Sequence, residues 1–233
     1  MRIYCLHGSL GHFSDWDFLK NSPLSKKFQI HSIDLYKNSN LNFFDWAINF
    51  NEFINSEKCE AILLGYSLGA RLALHSLIHH PSNFIKSAIL VSTHAGLPNE
   101  EEKLKRLEND ALWKSKLHEL PWPEFWQEWN QQSVFEGSPK ILNRTEISAP
   151  VKKLECIFDQ WSLGRQENLG PYLKEIKIKS LWMYGELDIK FKNLAAKASE
   201  NSPLISAVPV AKAAHRCPWE NPEDFIQKIL SFL

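Results

Sequence analysis

The pentapeptide Gly65-Tyr66-Ser67-Leu68-Gly69 joins the apolar run Ala61-Ile62-Leu63-Leu64 to a segment of helical character, Ala70-Arg71-Leu72-Ala73-Leu74-His75. Strand, Gly-x-Ser-x-Gly and helix, in that order, form the context of a nucleophile elbow. The central residue of such a turn sits in strained backbone geometry. Glycines on either side let strand and helix pass closely without a Cβ clash. The serine oxygen then projects from the end of a sheet, beside a helix N-terminus whose free N–H groups favour negative charge. That suits an alkoxide or an oxyanion, so the chain is expected to be an enzyme with Ser67 at its reactive centre.

The rest of the chain alternates in the same way. Arg2 to Leu6, Phe28 to Ile33, Ala61 to Leu64, Ser87 to Ser92, Leu181 to Tyr184 and Ile205 to Val210 read as strands. Leu41 to Asn55 has helical periodicity, Leu68 to His79 forms a helix stopped by Pro81, and Pro222 to Leu233 forms a last helix with Asn221 as N-cap and Pro222 at N1. Strands alternating with helices predict an α/β fold, a mostly parallel sheet covered on both faces. The interval 98–148 breaks the alternation. Pro98 to Leu117 is charged and helical in period, and four of the nine tryptophans (Trp113, Trp122, Trp126, Trp129) follow or fall within it. We read 98–148 as a helical lid inserted in a core made of 1–97 and 149–233, with most of these tryptophans packing lid on core.

Lys+Arg and Asp+Glu both number 27, giving a formal net charge of 0, so neither nucleic acid nor an anionic membrane surface is an expected partner. No apolar run approaches the length of a membrane span, and Met1 to Gly8 enters a strand without a signal-peptide pattern. Cys5, Cys59, Cys156 and Cys217 are scattered, which points to idle thiols in a reducing cytosol and hence to a cytoplasmic protein. Asn143-Arg144-Thr145 matches a glycosylation acceptor and is read as noise in a cytoplasmic chain.

A serine needs an imidazole to take its proton and a carboxylate to orient that imidazole. In this architecture the acid and then the histidine follow the serine in the chain. Leu181-Trp182-Met183-Tyr184-Gly185-Glu186-Leu187-Asp188 turns out of a late strand and supplies Asp188 as the acid, with Glu186 and Asp159 as alternatives. His215 lies between the last strand and the last helix and is the expected base. The backbone N–H groups of Ser9, in the loop after the first strand, and of Leu68, after the nucleophile, are the expected oxyanion donors. His7 is read as structural, and His94, just past a strand, as a loop residue within reach of the site. Arg71, four residues after Ser67, falls on the serine's side of its helix, where it is placed to bind a substrate carboxylate or else faces solvent. Lys190 is a second cation of this kind.

At these residues the chain resembles the α/β-hydrolase superfamily, and within it the 2-succinyl-6-hydroxy-2,4-cyclohexadiene-1-carboxylate synthases, the MenH family. The segments that carry the likeness are Leu6-His7-Gly8-Ser9-Leu10-Gly11 with Asp15-Trp16, Gly65 to Arg71, His94-Ala95-Gly96-Leu97, Arg106 with Asn109-Asp110, Trp129 to Phe135, and Gly185 to Phe191. The resemblance implies an α/β-hydrolase fold and a lyase of menaquinone biosynthesis that removes a proton beside a carbonyl and expels pyruvate. His215, held by Asp188, would activate Ser67 as base. Arg71 and Arg106 would bind carboxylates of a small anionic substrate, with Tyr66, Trp129 and Lys190 lining the pocket. It implies no metal and no organic cofactor. Three departures stand out: Ala95 in place of the family's proline, Asn130 in place of its tyrosine, and Ala214-His215-Arg216 where Gly-His-Asn is usual. The rival expectation on the same fold is a serine carboxylesterase or thioesterase, for example an acyl-carrier-protein methyl ester esterase of biotin synthesis, with Ser67 as covalent nucleophile.

Overall fold

A computed structural model describes residues 1–138, 142 and 144–233. Asn143, and with it the acceptor motif, lies outside the described residues. Six strands form one sheet: β1 (Arg2–Leu6), β2 (Gln29–Ile33), β3 (Ala61–Tyr66), β4 (Ile85–Val91), β5 (Lys179–Gly185) and β6 (Ile205–Val210). Their order is β2-β1-β3-β4-β5-β6, and every neighbouring pair is parallel. The order reverses between β1 and β3, and open parallel sheets bind ligands beyond the strand C-termini at such a point. Leu6 pairs with Gly65 and Val91 with Tyr66, so the loops after β1, β3 and β4 leave the sheet side by side.

The helices are α1 (Asp17–Lys20), α2 (Phe43–Glu57), α3 (Leu68–Ile78), α4 (Glu100–Glu119), α5 (Trp122–Asn130), α6 (Val151–Leu154), α7 (Ile189–Asn201), α8 (Cys217–Glu220) and α9 (Pro222–Phe232). Strand alternation divides the core between two faces. Leu63 and Trp182 join Trp46, Phe50, Leu72 and Ala195, from α2, α3 and α7, on one side. Ile62, Leu64 and Met183 join Trp16, Leu19, Phe225 and Ile229, from α1, α9 and their surroundings, on the other. Central β3 is buried along its whole length, which is why it reads as a continuous apolar run. Pro209 lies in β6, an edge strand, where its missing N–H removes no bond from an interior ladder.

Observed helix ends follow the capping residues. α4 begins after Asn99, whose side chain accepts from the Glu102 N–H, and α9 begins after Asn221, which accepts from Asp224. Helix α7 was not anticipated from the sequence. Its buried residues Phe191, Ala195 and Ala198 recur at helical spacing, and Asp188 caps it by accepting from the Phe191 N–H at 3.1 Å. Between β4 and β5 the described residues contain no strand, and α4 and α5 pack together there. Trp113, Phe125 and Trp129 join Phe158 and Trp161 in the core on the α2–α3 side. Among the described residues no helix is long and apolar enough to cross a membrane.

Candidate active site

Ser67 has φ 50° and ψ −109°, a conformation that non-glycine residues avoid and that tertiary contacts must hold. Its N–H donates to the Val91 carbonyl at 2.8 Å and its own carbonyl accepts from Arg71 N–H at 3.0 Å, pinning the turn between β4 and α3. Gly65 and Gly69 make the turn possible. A Cβ on Gly65 would lie 2.6 Å from Ala70 backbone atoms, and one on Gly69 would collide with the Leu6 and His7 carbonyls. Leu68 is the first residue of α3, so its N–H has no carbonyl one turn back and remains available to an oxyanion.

The expected base His215 and expected acid Asp188 are brought together by backbone bonds between their loops. Glu186 N–H donates to the Val210 carbonyl at 2.9 Å, and Leu187 N–H to the Ala213 carbonyl at 2.8 Å. Gly185 lies directly under the loop that carries the histidine, where any Cβ would collide with the Ala213 and Ala214 carbonyls. Ser92 Oγ, at the end of β4, donates to the His215 carbonyl at 2.9 Å. The result is a contact of 3.1 Å between His215 Nδ1 and Asp188 Oδ2. Of the other candidate acids, Glu186 accepts from the Lys212 N–H at 2.9 Å and Asp159 pairs with Lys114 at 2.7 Å. Of the three candidate carboxylates, Asp188 is the one that contacts His215.

His215 is buried, with the rings of Phe191, Tyr66 and Phe135 at 4.5, 5.6 and 5.7 Å. That dry setting lowers its pKa, while the Asp188 carboxylate pulls in the opposite direction. A neutral imidazole with Nδ1–H donated to Asp188 keeps Nε2 as a proton acceptor. His7 is also buried, and its pKa is lowered to about 4 by desolvation. Its Nδ1 lies 2.9 Å from the Gly8 carbonyl while Nε2 accepts from the Leu35 N–H at 3.3 Å, so it braces the loop bearing Ser9.

Ser9, Tyr66, Ser67, Arg71, Arg106, Trp129, Lys190 and His215 all line one cavity of about 250 Å³. Three of them are cations from three separate elements. Arg71 is buried, donates to Gln166 Oε1 at 3.1 Å and lies 5.3 Å from the Phe43 ring centre. Burial lowers its pKa to about 9, which still leaves it charged at neutral pH. Arg106 uses its Nε on Asp110 at 2.8 Å; Asp110 is buried and also accepts from Ser162 Oγ at 2.6 Å. Lys190 is exposed at the rim, and among the described residues neither it nor Arg71 pairs with a carboxylate. The field of these cations converges on His94, whose pKa falls to about 4, first by burial and then through Lys190, Arg71 and Arg106.

Several contributors were not visible in the sequence. Gln166 is buried, orients Arg71 and donates from Nε2 to the His94 carbonyl at 3.1 Å. Ser162 fixes Asp110, which in turn fixes Arg106. Arg216 stacks 3.8 Å over the Phe135 ring and donates to Asn130 Oδ1. Two of the departures from the family pattern, at 130 and 216, are therefore in contact. Gln166 lies on an irregular segment and carries no signal in the sequence, because its burial is a tertiary property.

A serine in an elbow, a histidine and an aspartate in this order, on this sheet, define an α/β-hydrolase-type site. The model of the alpha/beta hydrolase family matches residues 3–228, and the chain belongs to that family. Among its relatives, the 2-succinyl-6-hydroxy-2,4-cyclohexadiene-1-carboxylate synthase of Pectobacterium atrosepticum is 27% identical over 242 residues, covering 99% of this chain and 93% of that one. The enzyme of the same name from Yersinia pestis (strain Pestoides F) is 27% identical over 241 residues, covering 98% and 85%. In fold the chain is similar to the structure of MenH from S. aureus, with a TM-score of 0.89 at 23% identity, covering 100% of this chain and 93% of that one. It is also similar to an esterase from Exiguobacterium antarcticum, with a TM-score of 0.71 at 18% identity and coverage of 100% and 91%.

Proposed function

We propose that this enzyme eliminates pyruvate from 2-succinyl-5-enolpyruvyl-6-hydroxy-3-cyclohexene-1-carboxylate, as a carbon–oxygen lyase of menaquinone biosynthesis acting in the cytoplasm. The observation that carries this reading is the convergence of Arg71, Arg106 and Lys190 on the cavity that also holds Ser67 and His215. Such a substrate bears three carboxylates, on the ring, the succinyl chain and the enolpyruvyl group. An ester pocket is served by mostly apolar walls, so buried, carboxylate-free Arg71 favours the lyase over an esterase or thioesterase.

The reaction follows from the substrate's own bonds. The proton on C2 is acidic because the succinyl ketone adjoins it. His215 Nε2 draws the proton from Ser67 Oγ, and the serine oxygen takes the C2 proton. The electron pair forms C2=C3, the C3=C4 pair moves to C4=C5, and the C5–oxygen bond breaks. The leaving group is the enolate of pyruvate, which gains a proton on carbon, and the product is the 2,4-diene. Charge on the ketone oxygen grows during proton removal, and the Ser9 and Leu68 amides stabilise it there. Arg71 and Arg106 hold carboxylates so that C2 faces the serine, with Tyr66, Trp129 and Lys190 completing the walls. In this reading 98–148 is a lid, and α4 and α5 deliver Arg106 and Trp129 to the cavity.

The test is pyruvate release from this substrate, generated in situ, by the unmodified enzyme, Ser67→Ala and Arg106→Ala. Release well above the spontaneous rate and lost in both variants supports the lyase. A folded enzyme that gives no acceleration excludes it and returns the esterase reading.

A further inference from the structure

One turn beyond Arg71 on α3, His75 faces a second groove, of about 600 Å³, that contains neither Ser67 nor His215. His75 is only 2% exposed, yet neither of its ring nitrogens has a hydrogen-bond partner among the described residues. An unpartnered buried polar atom is destabilising, so a ligand that takes an imidazole lone pair would be favoured here. Two more donors stand beside it. His79, the C-cap residue of α3, follows at i+4 with its ring 5.6 Å from that of His75, and Glu167 reaches in from the segment before β5, with Oε2 2.9 Å from His79 Nε2. One donor atom from each of His75, His79 and Glu167 falls within a 4.8 Å span.

We infer that His75, His79 and Glu167 form a binding site for a zinc-class divalent ion, with its fourth position open to the groove. Zinc bonds of ~2.0–2.1 Å to nitrogen and ~2.0–2.2 Å to oxygen put tetrahedral donors roughly 3.3–3.5 Å apart. The same geometry separates two bound imidazole centres by about 5.2 Å, and the two rings here are 5.6 Å apart. Small side-chain rotations therefore complete the site. Two imidazoles and one carboxylate suit Zn²⁺, Ni²⁺ or Cu²⁺; Mg²⁺ and Ca²⁺ require a set of oxygens that these residues do not offer. The Phe43 ring stacks on His75 at 4.6 Å and fixes its plane, which pre-organises the first ligand.

The ion would also join two segments that matter elsewhere. Its His75 ligand is one turn from Arg71, and its Glu167 ligand adjoins Gln166, the residue that orients Arg71. Binding would staple α3 to 166–167 and hold the Arg71–Gln166 pair in place. The site itself does not depend on which reaction Ser67 serves.

The experiment is calorimetric titration of metal-stripped, tag-free enzyme with ZnCl₂ in a non-chelating buffer, with thermal unfolding measured alongside. We expect one ion per chain, a raised Tm, and no binding of MgCl₂. His79→Ala and Glu167→Gln change partly exposed side chains, and each should weaken Zn²⁺ by at least the roughly 10–100-fold that loss of an outer-shell partner costs without altering the metal-free Tm greatly. Cys59→Ser, which removes a half-exposed thiol, should leave binding intact. Absence of saturable one-to-one binding, binding abolished by Cys59→Ser, or affinities within about twofold of the unmodified enzyme's in both His79→Ala and Glu167→Gln would each overturn the inference.

Discussion

Replacing Asp188 by asparagine separates the acid's electrostatic role from its structural one. Both carboxylate oxygens are acceptors in use: Oδ2 receives the His215 Nδ1–H at 3.1 Å and Oδ1 receives the Phe191 N–H that opens α7, also at 3.1 Å. An amide has one acceptor, so one of these two donors must face an NH₂ group. Losing the cap bond costs about 1 kcal/mol. Moving the imidazole proton from Nδ1 to Nε2 is the cheaper adjustment, so the amide oxygen stays with Phe191. The imidazole then carries its proton on the nitrogen that should accept one from Ser67. The charge that would stabilise the imidazolium is lost as well. Together these effects predict a fall in kcat on the order of 10³–10⁴-fold, or ~4–5.5 kcal/mol of barrier. Stability should change by less than about 1 kcal/mol, because Asn caps nearly as well as Asp. Asp188→Ala should match the loss in kcat but unfold more easily, having lost the cap. Removing a charge that raises the His215 pKa also moves the acid limb of the residual kcat/KM to lower pH. The assays are pyruvate release across pH and urea unfolding. A folded Asp188→Asn enzyme that keeps more than about a tenth of the activity would refute this account of the base.

Four further outcomes follow from the same geometry. Gln166→Leu should raise KM more than it lowers kcat, by roughly tenfold, because it frees Arg71 without touching Ser67; a charge-assisted hydrogen bond is worth ~1.5–3 kcal/mol. Arg216→Ala and Asn130→Ala should show a coupling of about 0.5–3 kcal/mol in a double-mutant cycle of stability, whereas additive effects would deny the contact its role. Gly185→Ala should cost several kcal/mol and disrupt the acid–base pair, read by unfolding and by activity, since its Cβ has no space below Ala213 and Ala214. His7 and His94 have folded pKa values of about 4, below their ordinary 6.5, so between these values the unfolded chain binds more protons. Their contribution is therefore complete above pH 6.5 and is lost as pH falls toward 4, with a slope of up to ~1.4 kcal/mol per pH unit for each histidine. Urea unfolding at pH 7 and pH 5 checks it, and equal stability would contradict it.

The alternation of short apolar runs with helical periods was legible because the inner strands, β3 and β4 above all, are buried along most of their length and because α2, α4, α7 and α9 each start at a capping Asn or Asp. Local spacing likewise marked the elbow: Gly65, Ser67 and Gly69 stand together in the chain, although the contacts that require Gly69 and pin Ser67 come from Leu6, His7 and Val91. The order of acid and base is legible along the chain, but their contact is not. The sequence favours Asp188 over Glu186 and Asp159, but the 3.1 Å contact with His215 depends on the loop that crosses Gly185. Helix α7 was missed because its signal is three small or aromatic residues on one face, weaker than the acidic turn just before it. The cations illustrate the same division. Helical spacing put Arg71 on the serine's side, but its burial, its Gln166 partner and its meeting with Arg106 and Lys190 come from segments far apart in the chain. Patterns set by backbone geometry repeat within a few residues and can be read along the chain. Distances between side chains on different loops, and the desolvation that shifts His215 and Arg71, exist only once the sheet has brought those loops to one edge.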